Sequence, residues 1–291
     1  MRSSKIVVVG AGGRLGAALV REYAPAHEVV GFTRAQLDLA DSAGMRASLE
    51  PLDFDILINT AAQTLVDRCE THREEAFAIN ADAPGVLAEN CSAKRARLIH
   101  ISTDYVFDGD ARTPYREEDE ANPMSVYGES KLAGERRVLE VSDKHIVARV
   151  SWVFGPDRPS FIDWIIQQAR EQERVSAVAD KVSTPTYTLD IARMLAPFFD
   201  HSLGGGILHV ANRGECTWQT FGQWALECCL TNGRALRAHK VDAITLADMK
   251  NFIARRPIYT VLDTEKVERL SGQPPRHWQD AVAEFVREHI V

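Results

Sequence analysis

The sequence predicts an α/β protein: a Rossmann-type doubly wound parallel sheet with a smaller, mostly helical substrate lobe. Three observations carry the prediction. Short, almost uninterrupted apolar runs recur with helical patterns between them, which is how strands buried on both faces of a parallel sheet read. The first run, Ile6-Val7-Val8-Val9, leads into Gly10, Gly13 and Gly16, the spacing of a strand that enters a helix through a phosphate-binding turn. After Gly155-Pro156 the strand–helix alternation gives way to a mainly helical pattern.

Taken in order, the apolar β-branched runs place strands over 5–10, 28–33, 55–60, 97–103 and 146–153. Between them, 3.6-residue periodicity places helices over 15–23, 42–49, 82–94 and 125–141. Further on, a helix over 160–173, a strand over 174–179, a helix over 189–200 and a strand over 206–211 are expected, with helices dominating from Thr217. This divides the chain into a dinucleotide-binding domain over 1–154, to which 183–213 return, and a substrate lobe over 155–182 and 214–291. A chain of 291 residues buries enough apolar surface for such a fold without disulfides or metals.

Composition narrows the function. The formal net charge is −7 and no Lys/Arg block stands out, which argues against a nucleic-acid partner. No apolar stretch approaches the roughly 20 residues of a membrane span, and the run at 6–9 is too short for a signal-peptide core. The five cysteines, Cys69, Cys91, Cys216, Cys228 and Cys229, show no C-x-x-C spacing and read as reduced thiols of a cytoplasmic protein. The nine histidines have no metal-ligand spacing, so no metal site is expected. A homodimer is compatible with all of this.

The turn after the first strand is built for a dinucleotide. Gly10 permits the tight turn, Gly13 lets the backbone approach a pyrophosphate, and Gly16 lets helix and strand pack closely. Gly12, Arg14 and Leu15 complete the loop and the helix N-terminus, whose free N–H groups and dipole favour phosphate. NAD-selective sites place a carboxylate at the end of the second strand. Here that end is Thr33-Arg34. Arg34, with Arg14 near it, suits a 2′-phosphate, so NADPH is the expected cofactor and NADH a weaker substitute. Asp38 and Leu39 follow at the adenine end of the same groove.

Ser125-Val126-Tyr127-Gly128-Glu129-Ser130-Lys131 contains Tyr-x-x-x-Lys on a predicted helix. The spacing i, i+4 sets both side chains on one face. An ammonium beside a phenol favours the phenolate, bringing a group with an ordinary pKa near 10 towards useful acid–base chemistry. The fourth strand ends in Ser102-Thr103. Ligands bind at the carboxyl ends of such strands, so Thr103 is expected to orient a substrate oxygen. Thr103, Tyr127 and Lys131 together can reduce a ketone, with the nicotinamide as hydride source and Tyr127 as proton donor.

These residues resemble the extended short-chain dehydrogenases/reductases, and most closely the dTDP-4-dehydrorhamnose reductase family. The resemblance runs through 57–67, through 101–109 (Ile-Ser-Thr-Asp-Tyr-Val-Phe-Asp-Gly), and through Asn122-Pro123, Val126-Tyr127-Gly128 and Ser130 to Glu135. It continues in 149–155, Pro185-Thr186-Tyr187, 208–212 and Arg255-Arg256-Pro257. It implies NADPH-dependent reduction of dTDP-4-dehydro-L-rhamnose to dTDP-L-rhamnose, a dTDP-linked deoxy keto-sugar being the partner. It carries Thr103, Tyr127 and Lys131 over as catalytic residues. Ala61, Ala62 and Thr64 match the wall beside the cofactor, and Val66, Asp104, Tyr105 and Trp152 the sugar pocket. Some members dimerise through Mg²⁺-binding carboxylates. No carboxylate cluster supports that here, and Mg²⁺ is not predicted. One departure stands out: at Asp180-Lys181-Val182-Ser183 many relatives carry Gln and Gly where this chain has Lys181 and Ser183.

Other readings stay open on the sequence. A 4,6-dehydratase would carry Glu after Thr103-Asp104, where this chain has Tyr105. A 4-epimerase would normally have an acidic second-strand end. Another nucleotide-sugar 4-reductase, or a non-catalytic regulatory subunit resembling that of methionine adenosyltransferase, would keep the same motifs.

Overall fold

The computed structural model describes residues 3–291. Six strands, β1 (Lys5–Val9), β2 (Glu28–Phe32), β3 (Ile56–Asn59), β4 (Arg97–Thr103), β5 (Ile146–Val150) and β6 (Gly206–His209), form one sheet in the order β2-β1-β3-β4-β5-β6. Every pairing in it is parallel. The chain leaves β1 for β2 on one side and crosses back to β3 on the other. The loops after β1 and β3 therefore diverge, and a crevice opens at the carboxyl ends where the order reverses.

Helices α1 (Arg14–Tyr23), α2 (Ser42–Leu49), α3 (Val66–Thr71), α4 (Arg73–Phe77), α5 (Ala83–Lys94) and α6 (Val126–Val141) lie between the first five strands. Beyond β5 come α7 (Phe161–Glu171), α8 (Thr188–Leu195), α9 (Trp218–Thr231), α10 (Glu265–Ser271) and α11 (Trp278–His289). Apolar residues cover the sheet on both faces. Leu15, Leu19 and Tyr23 of α1 pack with Ile191 and Leu195 of α8 against Ile6, Val8, Ile58 and Ile99. On the other face Met45, Leu87, Cys91 and Val138 meet Val7, Val9, Leu57 and Leu98. Burial of both faces is the physical reason the strands read as continuous apolar runs. A separate core joins α7, α9 and α11 through Ile162, Ile165, Phe221, Leu226, Val282 and Phe285 around Phe154 and Tyr187. Ser160 and Asp163 start α7 as a capping box, the Ser160 N–H donating to Asp163 Oδ2 at 2.7 Å.

Three expected elements differ. The strand read over 146–153 breaks after Val150, because Trp152 has φ +37°, a left-handed conformation rare for a residue with a side chain. Val153–Phe154 then pairs with Thr186–Tyr187 instead of with β4. The strand read over 174–179 is Val175–Val178, and it pairs in parallel with Val241–Ile244 away from the main sheet. The helix read over 82–94 begins a full turn or more earlier: α4 runs into α5 through a π-turn at Ala78–Asp82. Asp82 followed by Pro84 resembles a helix start. Pro84 instead sits within the helix, where it lacks the N–H that would bond Asn80 four residues back. The widened turn accommodates it, and α6 approaches that carbonyl so closely that a Cβ at Gly134 would lie 2.1 Å from the Asn80 oxygen.

Candidate active site

A cleft of about 790 Å³ occupies the crevice at the strand ends, a size suited to a cofactor or substrate. Gly10, Gly12, Gly13, Arg14, Leu15, Arg34, Asp38, Leu39, Ala61, Ala62, Thr64, Val66, Thr103, Asp104, Tyr105, Tyr127, Lys131 and Trp152 all line it. Of the residues expected to bind cofactor or substrate, Gly16 alone stays out of the lining. Its place is behind the turn, where an added Cβ would lie 2.2 Å from the Gly10 carbonyl oxygen.

The glycine turn fits a dinucleotide phosphate. Gly10 has φ +87°, and a Cβ there would meet Ala61 N at 2.8 Å. No side chain caps α1 at Gly13, which leaves the first-turn N–H groups for an anion in the cleft. Arg14 lines the cleft but commits its guanidinium to main-chain carbonyls, donating to Val153 at 3.1 Å, Arg158 at 3.0 Å, and Pro159. Burial lowers its pKa. Arg34, exposed just past the end of β2, lines the cleft and has no ion pair among the described residues. Arg158, not singled out in the sequence, returns from the far side of the crevice and donates to the Gly12 carbonyl at 2.9 Å.

The opposite wall, 61–65, is held by Asn80. Its side chain accepts from Gln63 N at 2.8 Å and donates to Gln63 O and Ser130 Oγ, each at 3.0 Å. The π-turn thus ties that wall of the cleft to α6, a link no local motif announces.

Ser125 caps α6 through Gly128 N at 3.3 Å, so Tyr127 and Lys131 leave the first turns of that helix towards β4. Burial raises the Tyr127 pKa, while the neighbouring Thr103 hydroxyl pulls it down and Asp104 pushes it up. The phenol therefore keeps its proton at neutral pH. Lys131 is 1% exposed. Burial brings its pKa down to about 8, against the pull of Glu135. Its Nζ donates to Ile101 O at 2.7 Å and lies 3.2 Å from His100 Nε2.

Asp104 is a hub of hydroxyls. Its Oδ1 accepts from Thr103 at 3.1 Å, and its Oδ2 from Ser151 at 3.1 Å, Ser183 at 3.1 Å and Thr260 at 2.6 Å. Ser183, the residue in place of the family's Gly, is thereby a buried ligand of the carboxylate. Lys181, in place of Gln, is fully buried and donates to Pro257 O at 2.5 Å. Its ammonium lies 5.0 Å from the Tyr105 ring centre and 6.0 Å from that of Trp152, backing two walls of the cleft. Tyr105 meets Tyr127 edge-on at 5.6 Å. Across the cleft, Asp67 of α3 holds the 253–256 loop. It accepts from Arg256 at 2.6 and 3.1 Å and from the N–H groups of Ile253 and Ala254 at 2.8 and 2.9 Å, which depress its pKa.

Comparison with known proteins agrees over the full length. Residues 4–290 match the family model described as the RmlD substrate binding domain. The spore coat polysaccharide biosynthesis protein SpsK of Bacillus subtilis is 34% identical over 286 residues, 98% of each chain. A dTDP-4-dehydrorhamnose reductase of Mycolicibacterium smegmatis is 36% identical over 287 residues, covering 98% of this chain and 85% of that one. The crystal structure of dTDP-4-dehydrorhamnose reductase from Bacillus anthracis in complex with NADP is 30% identical, with a TM-score of 0.89 over 99% of both chains.

Proposed function

The chain belongs to the dTDP-4-dehydrorhamnose reductase family, and from that premise we propose that it reduces the 4-keto group of dTDP-4-dehydro-L-rhamnose to give dTDP-L-rhamnose, using NADPH. The observation that carries the reading is the meeting of an uncapped glycine-turn helix with Thr103, Tyr127 and Lys131 in one cleft. Gly12, Gly13 and the first turn of α1 would hold the pyrophosphate, Arg34 the 2′-phosphate, and Asp38 and Leu39 the adenine end. NADPH bound there supplies the hydride. Tyr127, kept protonated by burial, gives its O–H proton to the 4-oxygen of the sugar. Thr103, whose single O–H rests on Asp104 Oδ1, would have to turn it to that oxygen to orient it as it gains charge. Lys131 stands one helical turn from Tyr127 on the same face of α6 and lines the same cleft. Val66, Asp104, Tyr105 and Trp152 would line the sugar, with the Lys181 ammonium backing the Tyr105 and Trp152 rings.

Five free, buried thiols support a reducing, cytoplasmic site of action. No helix among the described residues is long and apolar enough to cross a membrane.

The test is to supply the keto-sugar with NADPH or NADH and follow nicotinamide absorbance, identifying the product by NMR. Saturable oxidation of NADPH with dTDP-L-rhamnose as product is expected, and NADH should serve less well. Tight NADPH binding without turnover of this sugar would overturn the reading.

A further inference from the structure

Behind Lys131 runs a buried chain of hydrogen bonds that the reduction as described does not use. The Ala61 N–H donates to Asn59 Oδ1 at 3.1 Å. That bond decides which way the Asn59 amide faces, so its Nδ2–H₂ group points at His100 Nδ1, 3.1 Å away. An amide N–H can only donate. Nδ1 must therefore be the acceptor, and the proton of the neutral ring sits on Nε2. His100 and Asn59 are both fully buried, and burial together with Lys131 holds the imidazole pKa well below its ordinary value, so the ring is neutral. Nε2–H then points at Lys131 Nζ across 3.2 Å. Against an ammonium, this contact sets donor against donor. Against a neutral amine, it is a hydrogen bond to the nitrogen lone pair.

We propose that Asn59 and His100 are positioning residues that lock the imidazole in its Nε2–H tautomer, and that this stabilises Lys131 as the neutral amine left after it has given up a proton. The consequence for turnover rests on the reductase reading. Tyr127 breaks its O–H bond as the substrate oxygen gains that proton. A proton from the Lys131 ammonium restores the phenol. Nζ, now carrying a lone pair, accepts the His100 Nε2–H bond, and water later returns the proton to Lys131. Geometry and burial act in the same sense, since Lys131 already loses its proton more readily than an exposed lysine, with a pKa of about 8.

The charged and titratable groups around Lys131 leave room for this control. Glu135 and Tyr127 lie on its own helix, and Glu135 is engaged by Arg149 of β5 at 2.7 Å. Cys69 of α3 and Asp104 act on Tyr127. From β4 the Ile101 carbonyl and His100 face Nζ, and of the two only His100 titrates.

The experiment is ¹⁵N NMR of the full chain without cofactor or substrate, so it does not depend on turnover. Two-bond correlations of the imidazole show which nitrogen of His100 carries the proton, and Lys131 Nζ is titrated in parallel. The expected result is Nε2–H through the neutral range. An Nδ1–H ring or an imidazolium would overturn the proposal with no variant needed. Asn59→Asp turns the donor into an acceptor, so the ring proton should move to Nδ1 and the Lys131 midpoint should rise, its deprotonation constant falling about tenfold or more. A ring proton that moves while Lys131 titrates unchanged would also refute it. Should the wild-type spectrum be as expected but the keto-sugar not turn over, the reductase reading fails and the tautomer lock stands.

Discussion

Glu135→Gln tests the electrostatic support of the site. Glu135 and Arg149 both have side chains only 2% exposed. Arg149 Nε donates to Oε1 at 3.0 Å and to Oε2 at 3.2 Å, Nη2 donates to Oε2 at 2.7 Å, and Ser102 Oγ donates to Oε1 at 2.5 Å. A Gln of the same shape keeps one acceptor oxygen and turns the other into an N–H donor. Whichever way it flips, either the guanidinium or Ser102 loses its acceptor, and Arg149 keeps a buried charge with no counter-ion. Its Nη1 is already without a hydrogen-bond partner, so it has no reserve. Stranding one member of a buried pair costs about 3–5 kcal/mol. At about 2–4 °C per kcal/mol, the melting midpoint should fall by about 6 °C or more. The assay is thermal melting of the wild type, Glu135→Gln, Arg149→Met and the double variant. The double variant should melt well above the sum of the single losses, because it buries no stranded charge. A Glu135→Gln midpoint within about 2 °C of the wild type, or strict additivity in the double variant, would refute the reasoning.

Two other substitutions address the chemistry. Tyr127→Phe should lower kcat by about 10²–10⁴-fold, the usual worth of a general acid, with NADPH affinity by fluorescence titration nearly unchanged; a variant reducing at the wild-type rate would remove Tyr127 as proton donor. Arg34→Ala should raise the KM for NADPH by about tenfold or more while moving that for NADH little, from the loss of a charge-assisted bond to the 2′-phosphate; equal changes for both cofactors would sink that assignment.

Much of this protein was legible in order along the chain. Residues 6–9 and 97–103 read as strands because a parallel sheet covered on both faces demands unbroken apolar runs. The tight turn after β1 was legible because the positive φ of Gly10 and the close approach of Gly16 to the Gly10 carbonyl act within a few residues. The face shared by Tyr127 and Lys131 follows from helical spacing alone. What the sequence could not announce are the partners brought from a distance. Arg158 reaches Gly12 across 146 residues and Thr260 reaches Asp104 across 156, and neither contact leaves a periodic trace. Arg14, adjacent to the phosphate turn, suggested a phosphate ligand, yet the loop at 153–159 claims its guanidinium. Asn59 and His100 read as ordinary positions on two strands; only the registry of β3 on β4, which sets Asn59 opposite His100, makes them a pair. The helix and strand periods act between neighbours and so are written in the sequence. Hydrogen-bond partners, buried charge and the tautomer of His100 depend on which distant atoms packing brings together, and these the tertiary structure alone decided.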